Sequence, residues 1–183
     1  MKIYERADEP VFAWVAELVK KYHPDLVSAG VSIDVLMVEH DDPDNENPAI
    51  SHRGYPAAAQ VRAVPVKDRA GGRRDAEILV DKRLFKTLPE KRKQALLDHE
   101  LQHLQPVLGK EQRPKLDGAG RPRLKLRRHD RQLGWFDAIV RRHGEAAPEK
   151  VQARALLQEA GQLYFDFPGG GAGVQIVPKV ANN

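Results

Sequence analysis

The sequence predicts an α+β domain in which a mixed sheet of three to four strands packs on helices. Stretches with apolar residues at three- and four-residue steps read as amphipathic helices. Short β-branched runs bounded by glycine, proline and aspartate read as strands. The two kinds are interspersed along 183 residues, a length that suits one domain with a modest core.

Val11, Trp14, Val15, Leu18 and Val19 give residues 10–22 one packing face, closed by His23-Pro24. Residues 31–38 are β-branched and apolar and read as a buried strand. Residues 40–57 hold three prolines among polar residues and read as a solvated loop. His40, Asp41, Asp42 and His52 in that loop are metal-ligating types, but no fixed spacing joins them. Residues 60–66 and 75–81 read as two strands, with Gly71-Gly72 making 67–74 a hairpin connection. Thr87-Leu88-Pro89-Glu90 reads as a capping box, with Thr87 as N-cap and Glu90 reaching back. The helix it opens carries Leu96, Leu97, Leu101 and Leu104 on one stripe, and Pro106 ends it by about Gln105. Asp117-Gly118-Ala119-Gly120 marks the turn of a second hairpin within 106–128. A helix follows over 130–142, with Leu133, Phe136, Ile139 and Val140 on one face and Gly144 as C-cap. Another spans 150–164 on Val151, Ala155, Leu156 and Leu163. From Pro168 onward the glycines predict a flexible tail, which sets the domain at residues 1–166 and the tail at 167–183.

Hydrophobic residues at 41% and charged residues at 31% fit a globular chain, and no apolar run approaches the length of a membrane span. The N-terminus lacks the charge-then-apolar pattern of a signal peptide, so the expected location is cytoplasmic. Cysteine is absent, which excludes disulfides and thiolate metal sites and leaves His, Asp and Glu as ligands. The net charge of +4 is unevenly spread: residues 110–131 hold nine Lys or Arg against three acids. Such a segment suits nucleic acid or an acidic protein, or is a solvated hairpin with no partner.

Within Ala95-Leu96-Leu97-Asp98-His99-Glu100-Leu101-Gln102-His103-Leu104 lies H-E-x-x-H. On a helix, His99 and His103 stand one above the other, so both imidazoles can reach one ion at about 2.0–2.1 Å, the distance of zinc. Glu100 points to a neighbouring face, where its carboxylate can take a proton from a water acidified by the metal. That is the arrangement of a zinc hydrolase.

A catalytic zinc site usually has three protein ligands. Of the other histidines, 23, 40 and 52 lie in or beside loops ahead of the helix. His129 stands at the predicted start of the next helix. His143 lies about 20 Å further along it at 1.5 Å per residue, so the two cannot share one ion. Asp130 and Asp137 are the carboxylate alternatives to His129.

The strand at 76–80, the motif ALLDHELQHL, the hairpin ending in LKLRRHD at 124–130 and the helix ending in VRRHG at 140–144 together resemble the putative phage metallopeptidase family. More distantly they are similar to SprT-like zinc peptidases. The resemblance covers roughly residues 10–145. It implies a small zincin-like domain, a Zn2+ ion, a protein or peptide substrate and a phage origin. It also implies that a histidine at the head of the second helix completes the metal site, and that position falls on His129. The aromatic residue that usually follows His-Asp comes slightly later here, at Gly134-Trp135-Phe136.

The expected function is therefore peptide hydrolysis by a zinc metallopeptidase, with Glu100 as general base and then proton donor to the leaving amine. The strand at 76–80 offers main-chain hydrogen bonds to an extended substrate. Tyr55, His143 and Tyr164 are candidate second oxyanion donors, and Asp98 and Asp130 candidate acceptors orienting the ligand imidazoles. With the basic segment, a variant is proteolysis of proteins held on nucleic acid. The alternative is a non-catalytic zinc-containing module that binds nucleic acid or protein.

Overall fold

The computed structural model describes residues 1–52, 54–130 and 136–160. In chain order these form β1 (Lys2–Arg6), α1 (Glu9–Tyr22), α2 (Pro24–Ser28), β2 (Ile33–His40), the two-residue strands β3 (Ser51–His52) and β4 (Tyr55–Pro56), β5 (Ala59–Ala63), α3 (Val66–Ala70) and β6 (Ala76–Asp81). Then come α4 (Lys82–Thr87), α5 (Glu90–His103), β7 (Leu104–Pro106), β8 (Leu124–Leu126), α6 (Asp137–His143), a 3-10 turn at Gly144–Ala146 and α7 (Pro148–Ala160).

The fold is mixed α+β around a four-stranded sheet of order β1-β2-β6-β5. β1 runs antiparallel to β2, β2 parallel to β6, and β6 antiparallel to β5. Ile78 and Val80 of β6 are fully buried, as befits a strand paired on both sides and covered by helices. Its charged ends are satisfied locally: Glu77 accepts from Arg62, and Asp81 from the Ala49 and Leu84 amides. Val11, Val15 and Leu18 of α1 and Leu97 and Leu101 of α5 share one core with this sheet. That packing fixes α5, and with it the H-E-x-x-H residues, against the sheet.

Several elements differ from the sequence reading. β1 was not foreseen; its residues are all exposed, and ladder bonds to β2 hold it rather than burial. The strand expected over 60–66 stops at Ala63, because Pro65, which has no N–H, caps α3 inside the expected hairpin loop. Thr87 does not cap the metal helix: it ends α4, and its hydroxyl donates to the Leu84 carbonyl at 2.7 Å. α5 begins after Pro89 with no side-chain cap, whereas Asp81 caps α4 by accepting from Leu84 N at 2.9 Å. α5 ends at His103 rather than near Gln105, and the chain passes straight into β7. α6 starts at Asp137, not at 130. The expected end of the last helix beyond 160 and the tail from 167 lie outside the described residues.

The basic hairpin pairs β7 with β8 and is tied to the body by two arginines. Arg69, buried, donates to the Pro122 carbonyl at 2.9 Å and pairs with Asp117, while Arg121 of the hairpin reaches back to Asp75 at 2.9 Å. Lys110, Lys115, Arg123, Lys125 and Arg128 are exposed and, among the described residues, have no acidic partner.

Candidate metal centre

His99 and His103 lie one turn apart on α5 with ring centroids 5.2 Å apart. His129 comes from the segment after β8, its ring 5.2 Å from that of His99 and 4.4 Å from that of His103. One nitrogen from each of the three lies within 4.8 Å of the others, which makes this a group able to hold a metal ion. Their inner geometry fits zinc. His99 Nε2 and His129 Nε2 stand 3.2 Å apart, close to the ~3.3 Å that two nitrogens at tetrahedral angles around zinc would span.

The outer nitrogens of the two helix histidines are held. His99 Nδ1 donates to Glu149 Oε1 at 2.8 Å, and His103 Nδ1 donates to the Arg127 carbonyl at 2.8 Å. Both acceptors lack hydrogens, so each ring carries its proton on Nδ1 and turns the Nε2 lone pair inward. Burial pushes His103 down to about 4, with the charges of His99 and His129 adding to it against the Arg127 carbonyl. Burial, then the charge of His99, lowers His129 as well. Neutral imidazoles are the form that binds a metal.

Glu100 is buried, and its Oε2 accepts from Val61 N of β5 at 2.8 Å. Burial raises its pKa, partly countered by the charge of His99 and this hydrogen bond. The fully buried ring of Phe136 stands 5.1, 4.8 and 4.9 Å from the rings of His99, His103 and His129. It gives the cluster an apolar wall.

The structure thus brings His99, His103 and His129 together, but not as the helical pattern suggested for the third. His129 sits in non-helical chain after β8, two residues past Arg127, whose backbone is bonded to His103. Asp130 is engaged by the Arg127 guanidinium and by the Asp137 amide at 3.2 Å, so it orients no ligand imidazole. Asp98 does not either. Fully buried, it accepts from His23 and His143 at 2.7 Å each and from Arg142 at 3.2 Å. Against the cost of burial, the His143 and His23 bonds and the charges of His23 and Arg142 hold it well below the usual carboxylate range. His143, engaged there, is not placed as an oxyanion donor; Tyr55 is mostly exposed on β4, and Tyr164 lies outside the described residues. The loop quartet does not gather: Asp41 pairs with the N-terminal ammonium, and His52 lies 3.4 Å from Gln60. β6, expected to pair with substrate, has both edges occupied; β5 is the edge strand on that side.

Glu149 escaped the sequence reading, and so did the place of Phe136 against the three histidine rings. Glu149 stands fifty positions from His99 in a stretch that reads as ordinary charged helix start. Phe136 was visible as an apolar residue of a helical face and within the late aromatic stretch 134–136, but not as a wall of the histidine cluster.

The fold and the cluster define the class: an α+β protein with a three-histidine group able to hold a metal ion on and beside one helix. The chain belongs to the putative phage metallopeptidase family, whose model matches residues 2–160, from β1 through α7. Comparisons with curated proteins and with solved structures give no match. Membership suggests a peptidase that uses a metal ion and acts on proteins or peptides. Among the described residues, no helix is long and apolar enough to cross a membrane.

Proposed function

We propose that the chain is a zinc-dependent, zincin-like peptidase with His99, His103 and His129 as ligands and Glu100 as general base. The observation that carries this is the convergence of three imidazoles, two with their outer nitrogens fixed and facing Nε2 atoms at 3.2 Å. Zinc there would supply a Lewis acid for water and carbonyl. Glu100, made more basic by burial, takes a proton from the attacking water and returns it to the leaving amine. Phe136 excludes bulk water from one side. An extended peptide would lie along the edge strand β5, whose Val61 amide already meets Glu100.

Metal content by mass spectrometry, paired with casein cleavage, tests the proposal. Wild type and Glu100→Gln should each carry one zinc per chain, His129→Ala should lose it, and wild type alone should cleave. Metal-free wild type that takes up none on titration would defeat the proposal.

A second reading, a zinc-containing module that binds nucleic acid without cleaving, is favoured by the five exposed, acid-free cations of the hairpin. It predicts duplex DNA binding that weakens steeply with salt and is unchanged in Glu100→Gln. Protein cleavage stimulated by DNA at low salt would instead make the hairpin an accessory of the peptidase.

A further inference from the structure

Over residues 148–155, where its side chains are described, helix α7 is moored in an unusual way. Surface helices dock through an apolar stripe. Over residues 148–155 the one buried side chain is that of Glu149, 2 % exposed, while Val151 stays 38 % exposed. Among the described residues, the nearest apolar support is Ala147, just ahead of the helix, packed with Phe136 and Ile139. Glu149 Oε1 accepts from His99 Nδ1 at 2.8 Å and from Phe136 N at 3.3 Å. Its Oε2 is buried and, among the described residues, accepts no hydrogen bond. Burying a carboxylate is costly unless positive charge faces it. A neutral imidazole N–H compensates in part. A cation on the far nitrogen of the same ring strengthens that N–H as a donor and brings the missing charge.

We infer that metal binding at the histidine cluster and docking of α7 are one coupled equilibrium, with Glu149 as the positioning residue that joins them. The inference rests on the metal site proposed above. Coupling is reciprocal: the ion tightens α7, and a docked α7 holds the His99 ring in the orientation that binds the ion. Through the Phe136 amide the same carboxylate also fixes the apolar wall of the site.

The test is hydrogen exchange in α7 of the full-length, metal-stripped protein, without and with zinc, for wild type, Glu149→Gln and Glu149→Ala. Zinc dissociation constants from chelator competition accompany it. Zinc should slow exchange across α7 of wild type by about tenfold. Glu149→Ala should abolish that zinc-dependent slowing and weaken zinc by about 10–100-fold. Glu149→Gln keeps the side-chain volume and an oxygen for both donors but lacks the charge, so it should restore only part of each, whereas a role in packing alone would predict full restoration. Equal protection of wild-type α7 with and without zinc would overturn the coupling, as would wild-type zinc affinity in Glu149→Ala. Zinc uptake with unaltered α7 defeats the coupling alone; absence of zinc uptake by wild type defeats the metal site and the coupling with it.

Discussion

His103 and Arg127 hold each other through two hydrogen bonds: the Arg127 amide donates to the His103 carbonyl at 2.7 Å, and its carbonyl accepts from His103 Nδ1 at 2.8 Å. The backbone of one residue, Arg127, thus meets the end of α5, orients the His103 ring and sets the start of the segment carrying His129. Because His129 is exposed, its removal should leave the core intact. His129→Ala is expected to melt within about 2 °C of wild type in the metal-free state, since surface changes are typically within about 0.5 kcal/mol. Its zinc should nevertheless pass to a competing chelator. A large drop in melting temperature would show that His129 supports the fold instead.

This arrangement also marks where the sequence was readable. The spacing of His99 and His103 is local, because one helical turn brings them together whatever the rest of the chain does. The helix that holds them was readable too, from its leucines. The structure places His129 in the cluster, but its setting after β8 was not readable, since the bond that holds Arg127 to His103 joins positions 24 apart. Thr87 misled for a related reason. The local pattern of a capping box was present, yet the real side-chain cap, Asp81, belongs to a short helix that starts earlier.

That difference is measurable. Asp81 accepts from both Leu84 N and Ala49 N, at 2.9 and 2.7 Å, so Asp81→Ala leaves two amides short of a partner. A loss of ~2 kcal/mol in urea unfolding is expected, whereas Thr87→Ala should cost under ~0.5 kcal/mol. The reverse order would restore Thr87 as the cap.

Asp98 locks the back of the metal helix to His23 and to His143 and Arg142 of α6. Asp98→Asn removes the charge and sets an amide donor against donors, with an expected cost of ~3–5 kcal/mol by urea titration. Zinc stoichiometry should survive in whatever fraction stays folded, since Asp98 touches none of the three clustered histidines. A variant as stable as wild type would mean that the clamp contributes nothing net.

The stability of the metal-free protein should fall on mild acidification. His103 has a folded-state value of about 4, against an ordinary 6.5 when unfolded. Between these values the unfolded chain binds a proton that the folded chain refuses, so stability rises with pH across that window and is lost as pH falls from 6.5 to 4. His129, lowered for the same cause, adds in the same direction. Urea midpoints at pH 7, 6, 5 and 4 should decline, and His103→Asn should flatten part of the slope. Midpoints independent of pH over this range would contradict the burial of the His103 ring.

Glu100 carries the opposite sign. Burial raises its pKa above the ordinary 4.5, so its contribution to stability is fully present below that value and is lost as pH rises through the folded-state value. Above that ordinary value the buried Glu100 side chain is therefore a destabilising element that the fold retains between two of the clustered histidines. Glu100→Gln keeps an oxygen for the Val61 amide and removes the buried acid whose ionisation the fold opposes, so the metal-free variant should unfold at higher urea than wild type at pH 7. It should also bind zinc and lose about 10²–10⁴-fold in peptide cleavage, the scale of a general base. Gained stability with cleavage lost and zinc retained is what a base held for chemistry produces. Gained stability with cleavage unchanged would move the proton transfer to another group.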